Sequence, residues 1–255
     1  MNPWTVLSIE YAGQQSYLDD LFQVYPTIPE GIREIDEAVW NKVESAFHKK
    51  KNEELLRKLL KLKLFPIKDS YIAYLKRDKT SLERNPRTVN RICGRIYELG
   101  LDKLYERCRE PKETNRQIGP MFRNWLRKKS LGITPVGLEQ FLADKNDAVL
   151  DGSDQAMTDF ARQKLNYTHD KGLDFVARFN GKYVIGEAKF LTDFGGHQNA
   201  QFNDAISNIT TPNVKAVTVA ILDGVLYIKG KNKMYKQIKH NIMSVLVLRD
   251  FLYQL

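Results

Sequence analysis

The chain has 255 residues, 42% of them hydrophobic, which is typical of a globular protein and excludes a largely disordered one. No apolar run reaches the length of a membrane span. We expect no signal peptide, since no basic segment followed by an apolar one opens the sequence. Cys93 and Cys108 are too few for a disulfide framework, so we expect reduced core thiols in a cytoplasmic protein.

The net charge of +9 is concentrated in the middle of the chain. Residues 48–135 contain 24 basic and 10 acidic side chains, whereas residues 1–47 contain two basic and eight acidic ones and residues 136–255 are nearly neutral. A basic segment of this kind favours binding to a polyanion, although lysine-rich helices are often simply solvated. The pattern predicts a helical, basic region over residues 1–135 and a second region over 136–255, unless the two form one continuous domain.

Two helical segments are predicted in the first region. Residues 30–64 have apolar side chains at three- and four-residue spacing and end before Pro66. A helix over 86–99 begins at an Asn-Pro pair and stops at Gly100, and a short helix over 101–109 follows. Three arginines recur every fourth residue on the 86–99 helix, a ridge suited to phosphate contacts: Arg87, Arg91 and Arg95.

A short polar segment follows these helices. Gly119 and Pro120 predict a helix that starts near residue 120, with Asn115, Arg116 and Gln117 on the loop before it. Asn, Gln and Arg side chains can make paired contacts to base edges. The segment is therefore a candidate DNA-binding loop, or else an ordinary polar surface loop.

The second region begins with a helix predicted from Ser153, its cap, to Leu165. Asp154 lies roughly 45° from the centre of the apolar face of this helix and could point toward a shared site, while Asp159 lies roughly 160° away. Its position at the helix start offers a purely structural explanation for Asp154.

Two apolar runs flank Asn180-Gly181, which predicts a tight β-hairpin. Glu187 and Lys189 are two residues apart on the second strand, so their side chains point to the same face. Asp174 lies on the paired strand. Two carboxylates can hold a hard divalent cation, and an ammonium can orient water or offset negative charge. The alternative is that these charges belong to a half-solvated hairpin.

The Glu187-Ala188-Lys189 tripeptide resembles the second half of the PD-(D/E)XK nuclease motif, and Leu173 stands where the first half has proline. Within that superfamily the sequence is similar to a type II restriction endonuclease. The resemblance implies an α/β fold, a restriction-endonuclease-like core over residues 136–255 with a central mixed sheet flanked by helices, plus the helical N-terminal region. It further implies catalysis by Asp174, Glu187 and Lys189.

The same resemblance implies Mg²⁺ held by Asp174 and Glu187, and a homodimer that cleaves double-stranded DNA at a short, palindromic sequence. A structure-specific repair or recombination nuclease is a second possibility. A non-catalytic DNA-binding regulator, in which Glu187 and Lys189 are dispensable, is a third.

A loop over 192–201 directly follows the motif. Its Gly195-Gly196 pair allows close approach of a ligand, and four donors are candidate DNA contacts: His197, Gln198, Asn199 and Gln201. Beyond it the sequence predicts a helix over 199–209 and a strand over 215–222 covered on both faces. A strand over 225–229, a helix over 233–240 and a strand over 242–248 complete the predicted elements.

Overall fold

The computed structural model describes residues 1–26, 31–111, 118–230, 232–238 and 241–255. Among these residues, no helix is long and apolar enough to cross a membrane. The helices of the described residues are, in chain order, α1 (Pro3–Ala12), α2 (Tyr17–Val24), α3 (Glu37–His48), α4 (Asn52–Leu59), α5 (Ile72–Arg77), α6 (Ser81–Arg84), α7 (Pro86–Leu99), α8 (Leu101–Cys108), α9 (Ile118–Arg127), α10 (Leu138–Ala143), α11 (Asp154–Leu165), α12 (Gly196–Ile209), α13 (Lys233–Lys236) and α14 (Leu248–Tyr253).

The chain forms two compact units, one of Met1–Ile28 with Thr114–Leu255 and one of Pro29–Glu113. The predicted boundary after residue 135 coincides with neither boundary of these units. The reason is packing: α2 and α9 bury their apolar faces in the same core as the sheet, so they belong with the C-terminal half of the chain.

The first unit contains a five-stranded mixed sheet within its described residues. Its strands lie in chain order across the sheet: β1 (Ala148–Val149), β2 (Phe175–Phe179), β3 (Lys182–Leu191), β4 (Val217–Gly224) and β5 (Ile242–Met243). The pairs β1–β2 and β2–β3 are antiparallel, and the pairs β3–β4 and β4–β5 are parallel. Helices flank this sheet, so the predicted α/β class with a central mixed sheet is confirmed.

The β2–β3 hairpin turns at the predicted dipeptide. Asn180 has φ 49° and Gly181 has φ 73°, which is the pair of positive values that a two-residue turn matching the strand twist requires. Both strands are buried along most of their length, and β4 is a near-continuous apolar run. Burial on both sides explains why the strands read as apolar runs and not as alternating patterns.

Two hydrophobic clusters cover the sheet. The larger one joins the strands to α2, α9, α12 and α14, with Phe122 and Phe202 fully enclosed. The smaller one packs α10 and α11 against β2 and β3, centred on Phe160 and Ile185. The helix α11 starts where predicted, because the Ser153 hydroxyl accepts a hydrogen bond from the main-chain N–H of Ala156 at 3.2 Å.

The N-terminal helix α1 is tied to the last strand by polar contacts. The Asn2 side chain donates to the Asn241 side chain at 2.7 Å, and the Thr5 hydroxyl donates to the carbonyl oxygen of Ile242 at 2.7 Å. The Ser8 hydroxyl accepts from the main-chain N–H of Ser244 at 2.9 Å. These bonds join residues more than 230 positions apart.

The predicted strand over 225–229 is wrong, and the predicted strand over 242–248 is confirmed only at its first two residues, which form β5. Gly224 has φ 95°, which redirects the chain into a 3₁₀ turn at Val225–Tyr227. After β5, Ser244 caps a second 3₁₀ turn at Val245–Val247 that continues into α14. Of the predicted helix over 233–240, only residues 233–236 (α13) are helical. Residues 239–240 lie outside the described residues.

The second unit is built from α3 to α8 around its own apolar cluster. The predicted helix over 30–64 is wrong in extent: only α3 and α4 are helical, residues 31–36 and 60–64 are not, and residue 30 lies outside the described residues. The helix breaks between α3 and α4, where Lys50 is in the left-handed region at φ 53°. The helix over 86–99 and the stop at Gly100 are confirmed, with Gly100 at φ 81°. Cys93 and Cys108 are free and buried, as predicted for core thiols.

Candidate active site

Three charged side chains come together at the end of the β2–β3 hairpin opposite its turn. The main-chain N–H of Asp174 donates to Gly186 O at 3.0 Å, which pins this residue against β3. Its Oδ2 accepts from the N–H of Ala188 at 3.0 Å and from Lys189 Nζ at 2.9 Å. The same Nζ lies 2.8 Å from Glu187 Oε1. One ammonium therefore bridges two carboxylates.

The strand β3 explains why Glu187 and Lys189 meet. They alternate with Ala188, so both side chains point to one face, and β3 is paired there with β4, while its pairing with β2 ends one residue earlier at Gly186. Their partners on β4 are the apolar residues Ala220 and Leu222. The site is consequently rigid and poorly solvated, with 8% of the Glu187 side chain and 26% of the Lys189 side chain exposed.

Burial alone would lower the pKa of Lys189, but the adjacent Asp174 and Glu187 more than offset it and raise that pKa above its ordinary value. Lys189 is therefore a stable cation in this site. It serves as a hydrogen-bond donor and a fixed positive charge.

The donor set fits a divalent cation. Glu187 Oε2 is buried and accepts no hydrogen bond from any described residue, so a carboxylate oxygen is left without a partner inside the protein. No group of three His, Cys, Asp or Glu side chains within the described residues is placed to hold a metal. A cation here would thus have two carboxylates, Asp174 and Glu187, with its other positions left to water and substrate oxygens.

The predicted DNA-contacting residues have three different placements. Asn115, Arg116 and Gln117 lie outside the described residues. His197 is exposed on α12, because this helix begins at Gly196 and not at 199. The predicted loop over 192–201 is therefore wrong for residues 196–201, which form the start of the helix, whereas residues 192–195 do lie outside helix and strand.

The other three side chains of this segment are engaged locally. Gln198 is buried, and its amide accepts from the N–H of Thr192 at 3.3 Å and donates to that residue's hydroxyl at 3.4 Å. Asn199 donates to Phe194 O at 2.8 Å. Gln201 lies 3.4 Å from His197 on the next turn. Gln198 and Asn199 fix the turn that follows β3.

Asp154 faces an open cleft between α9 and the start of α11. It forms an ion pair with Arg123, and Arg127 pairs with Asp151 at 2.8 Å along the same cleft. The cleft has a volume of about 580 Å³. The ion pair gives Asp154 a structural partner outside the Asp174–Glu187–Lys189 cluster.

Sequence reasoning missed a buried polar network at the end of β4. Asp223 is fully buried and accepts hydrogen bonds from the hydroxyls of Ser244, Tyr17 and Tyr25, the last two at 3.4 Å. Burial raises the pKa of Tyr25 well above its usual value, and the negative charges of Asp223 and then Asp174 add to that rise. Tyr25 is 149 positions from Asp174, and no local pattern connects them.

Lys171 was missed as well. Its ion pair with Asp204 at 2.9 Å raises its pKa, and Glu187 adds to that rise. The Lys171 ammonium is therefore within electrostatic range of Glu187, on the exposed segment that precedes Asp174. A single lysine in a polar segment gives no sequence signal that it interacts with Glu187.

The mixed sheet, with a hairpin that brings Asp174, Glu187 and Lys189 together, defines a restriction-endonuclease-like nuclease. The chain belongs to the Tsp45I type II restriction enzyme family, whose model matches residues 2–255. It is therefore a DNA-binding, site-specific deoxyribonuclease of a restriction system, a class that generally uses a divalent metal. The predicted superfamily and enzyme class are confirmed. No curated protein and no solved structure matches the chain.

Proposed function

We propose that the chain cleaves both strands of DNA at a short palindromic sequence, as a homodimer, with Mg²⁺ held by Asp174 and Glu187. The observation that carries the proposal is the convergence of these two carboxylates with Lys189, one carboxylate oxygen being buried and without a partner among the described residues. Mg²⁺ is favoured among divalent cations because it commonly takes one or two carboxylates and fills its other positions with water and phosphate oxygens.

Bound Mg²⁺ would supply a Lewis acid for the scissile phosphate and lower the pKa of a coordinated water. The chain's own residues orient the reaction. Asp174 is fixed by the main-chain N–H of Ala188, so its carboxylate does not need to reorganise. Lys189 Nζ stays protonated and donates to a phosphate oxygen or holds the attacking water. Since it already contacts both carboxylates, it lies within reach of any group that they bind.

The homodimer and the palindrome follow from one symmetry argument. The described residues of one chain contain one cluster of this kind, whereas cutting a duplex requires hydrolysis of two strands of opposite direction. A two-fold symmetric dimer presents two identical clusters to the two strands of a palindromic site. We place DNA contacts at His197 and Gln201 on α12 and at residues 115–117, and assign Gln198 and Asn199 to support of the adjacent turn.

The test is cleavage of unmethylated plasmid DNA by purified protein with Mg²⁺ and with chelator. We expect discrete fragments only with the metal, and none from Glu187→Gln, which keeps the shape but removes the charge. Asp250→Asn, an exposed carboxylate on α14, is the matched control and should cut normally. Full activity of Glu187→Gln would refute the site, and a monomer by light scattering with and without DNA would refute the dimer.

A further inference from the structure

The helical unit carries most of the excess positive charge. Residues 29–113 contain 21 basic and 15 acidic side chains, so they supply six of the nine net positive charges from one third of the chain. A polyanion is the ligand that such a surface attracts. The question is which face of the unit it contacts.

One exposed face of the helix α7 is cationic. Arg87 and Arg95 are exposed, and among the residues that the structure describes no acidic side chain forms an ion pair with either. Arg91, between them, is held by two hydrogen bonds to Asp69, at 2.6 and 3.3 Å, and still has 44% of its side chain exposed. The three arginines lie four residues apart, about one helical turn each, and therefore along one side of α7.

Two tyrosines extend this face. Tyr71 and Tyr74 are each 60% exposed, at the start of α5 and within it, which is unusual for large aromatic side chains. The Arg91 guanidinium lies 5.4 Å from the centre of the Tyr71 ring, so the aromatic and cationic groups adjoin. Exposed tyrosine hydroxyls beside arginines are typical donors to phosphate and sugar oxygens.

Gly94 is the most informative residue of the face. It lies in the middle of α7, where glycine is less favourable than alanine by about 1 kcal/mol. A β-carbon at this position would meet no atom of the described residues within 4 Å, so none of their contacts accounts for the glycine. It lies two turns after Arg87, on the same side of the helix. A glycine here leaves room for a ligand to approach the helix backbone.

We propose that the α5/α7 face, formed by Tyr71, Tyr74, Arg87, Arg91, Gly94 and Arg95, binds the sugar-phosphate backbone of duplex DNA, with a phosphate seated against Gly94. The proposal rests on the proposed function only in taking duplex DNA as the substrate. It is independent of the Asp174–Glu187–Lys189 chemistry, because binding is measured without metal.

The first test is Gly94→Ala, measured by thermal unfolding and by anisotropy of a short mixed-sequence duplex in chelator. The added methyl should leave the melting temperature unchanged or higher, because it improves the helix, yet weaken DNA binding by about tenfold. Gly31→Ala is the control, since a β-carbon there also meets no described atom within 4 Å and Gly31 lies outside the face. Unchanged affinity of Gly94→Ala would overturn the close approach.

The second test keeps the proposal falsifiable if Gly94→Ala is unstable. Arg87→Gln and Arg95→Gln should each weaken binding to all duplex sequences alike and reduce the slope of log affinity against log salt by about 1. Arg57→Gln removes the same charge from an exposed ion pair with Glu53 and Glu83 elsewhere in the unit and should leave the slope unchanged. The face assignment is overturned if both face variants keep the wild-type slope, or if Arg57→Gln reduces that slope as much as they do.

Discussion

In the sheet-containing unit, Glu187 and Asp223 are buried charged residues, each in contact with particular partners. In the helical unit, Arg87 and Arg95 are exposed and form no ion pair with an acidic side chain of the described residues, although Arg95 helps to lower the pKa of the nearby Asp69. Chemistry on a phosphate requires charges that are desolvated and fixed in position, since those interact strongly over short distances. Attraction of a duplex requires charges that remain available to it. On the two proposals above, the sheet-containing unit supplies the fixed charges for the reaction, and the helical unit supplies the exposed charges that attract the duplex.

The largest expected effect comes from removing the buried charge that links the carboxylates. Lys189→Met keeps the length of the side chain, so single-turnover cleavage should fall by about 10²–10³-fold with little loss of DNA affinity. Lys182→Met, at the exposed start of the same strand, should cut at the normal rate. If Lys189→Met weakens binding and not the chemical step, Lys189 is a phosphate clamp.

A steric change beside the site should be nearly as damaging. A β-carbon on Gly186 would overlap the carbonyl oxygen of Val219 on β4, so Gly186→Ala must push the strands apart and displace Glu187. We expect the free energy of unfolding to fall by about 3 kcal/mol, together with loss of cleavage. Chemical denaturation measures the first quantity. Stability equal to the native protein's would contradict the tight packing of β3 on β4.

The buried Asp223 makes stability depend on pH. Burial raises its pKa from 3.8 to about 7, so between these values the folded protein binds more protons than the unfolded one. The free energy of unfolding should therefore fall as pH rises through this range, by up to about 1.4 kcal/mol per unit. Asp223→Asn should flatten the slope in denaturation at about pH 5 and about pH 7. The same slope in both proteins would assign the effect to other groups.

The smallest effect is expected at Asp154. Its ion pair with Arg123 is partly exposed, so Asp154→Asn should change stability by less than about 1 kcal/mol and leave cleavage intact. Plasmid cleavage decides the point. A loss of activity as large as that of Glu187→Gln would show that Asp154 belongs to the metal site after all.

Local signals made part of this molecule predictable. Asn180-Gly181, the Ser153 cap and the Gly100 stop each act within a few residues, and each lies where the sequence indicates. The spacing of Glu187 and Lys189 likewise fixed their common face, because strand geometry alone determines it.

The missed features depend on contacts between distant residues. Tyr25 reaches Asp223 only through the packing of the N-terminal segment on the sheet, and no window of sequence contains both. The residues after Gly224 have the composition of a strand, but tertiary packing turns them into 3₁₀ turns and α14. The unit boundaries also arise from packing, since α2 and α9 join one core although 93 residues separate Val24 from Ile118.

The hydrogen bonds between α1 and the residues at β5 can form only late in translation. Asn2, Thr5 and Ser8 have no Asn241, Ile242 or Ser244 to bind until those residues have left the ribosome. The helical unit has its own apolar cluster within residues 29–113, so it can fold well before then. A nascent chain therefore completes its helical unit first, and the unit that contains Asp174, Glu187 and Lys189 gains its last contacts only after Ser244 has been added.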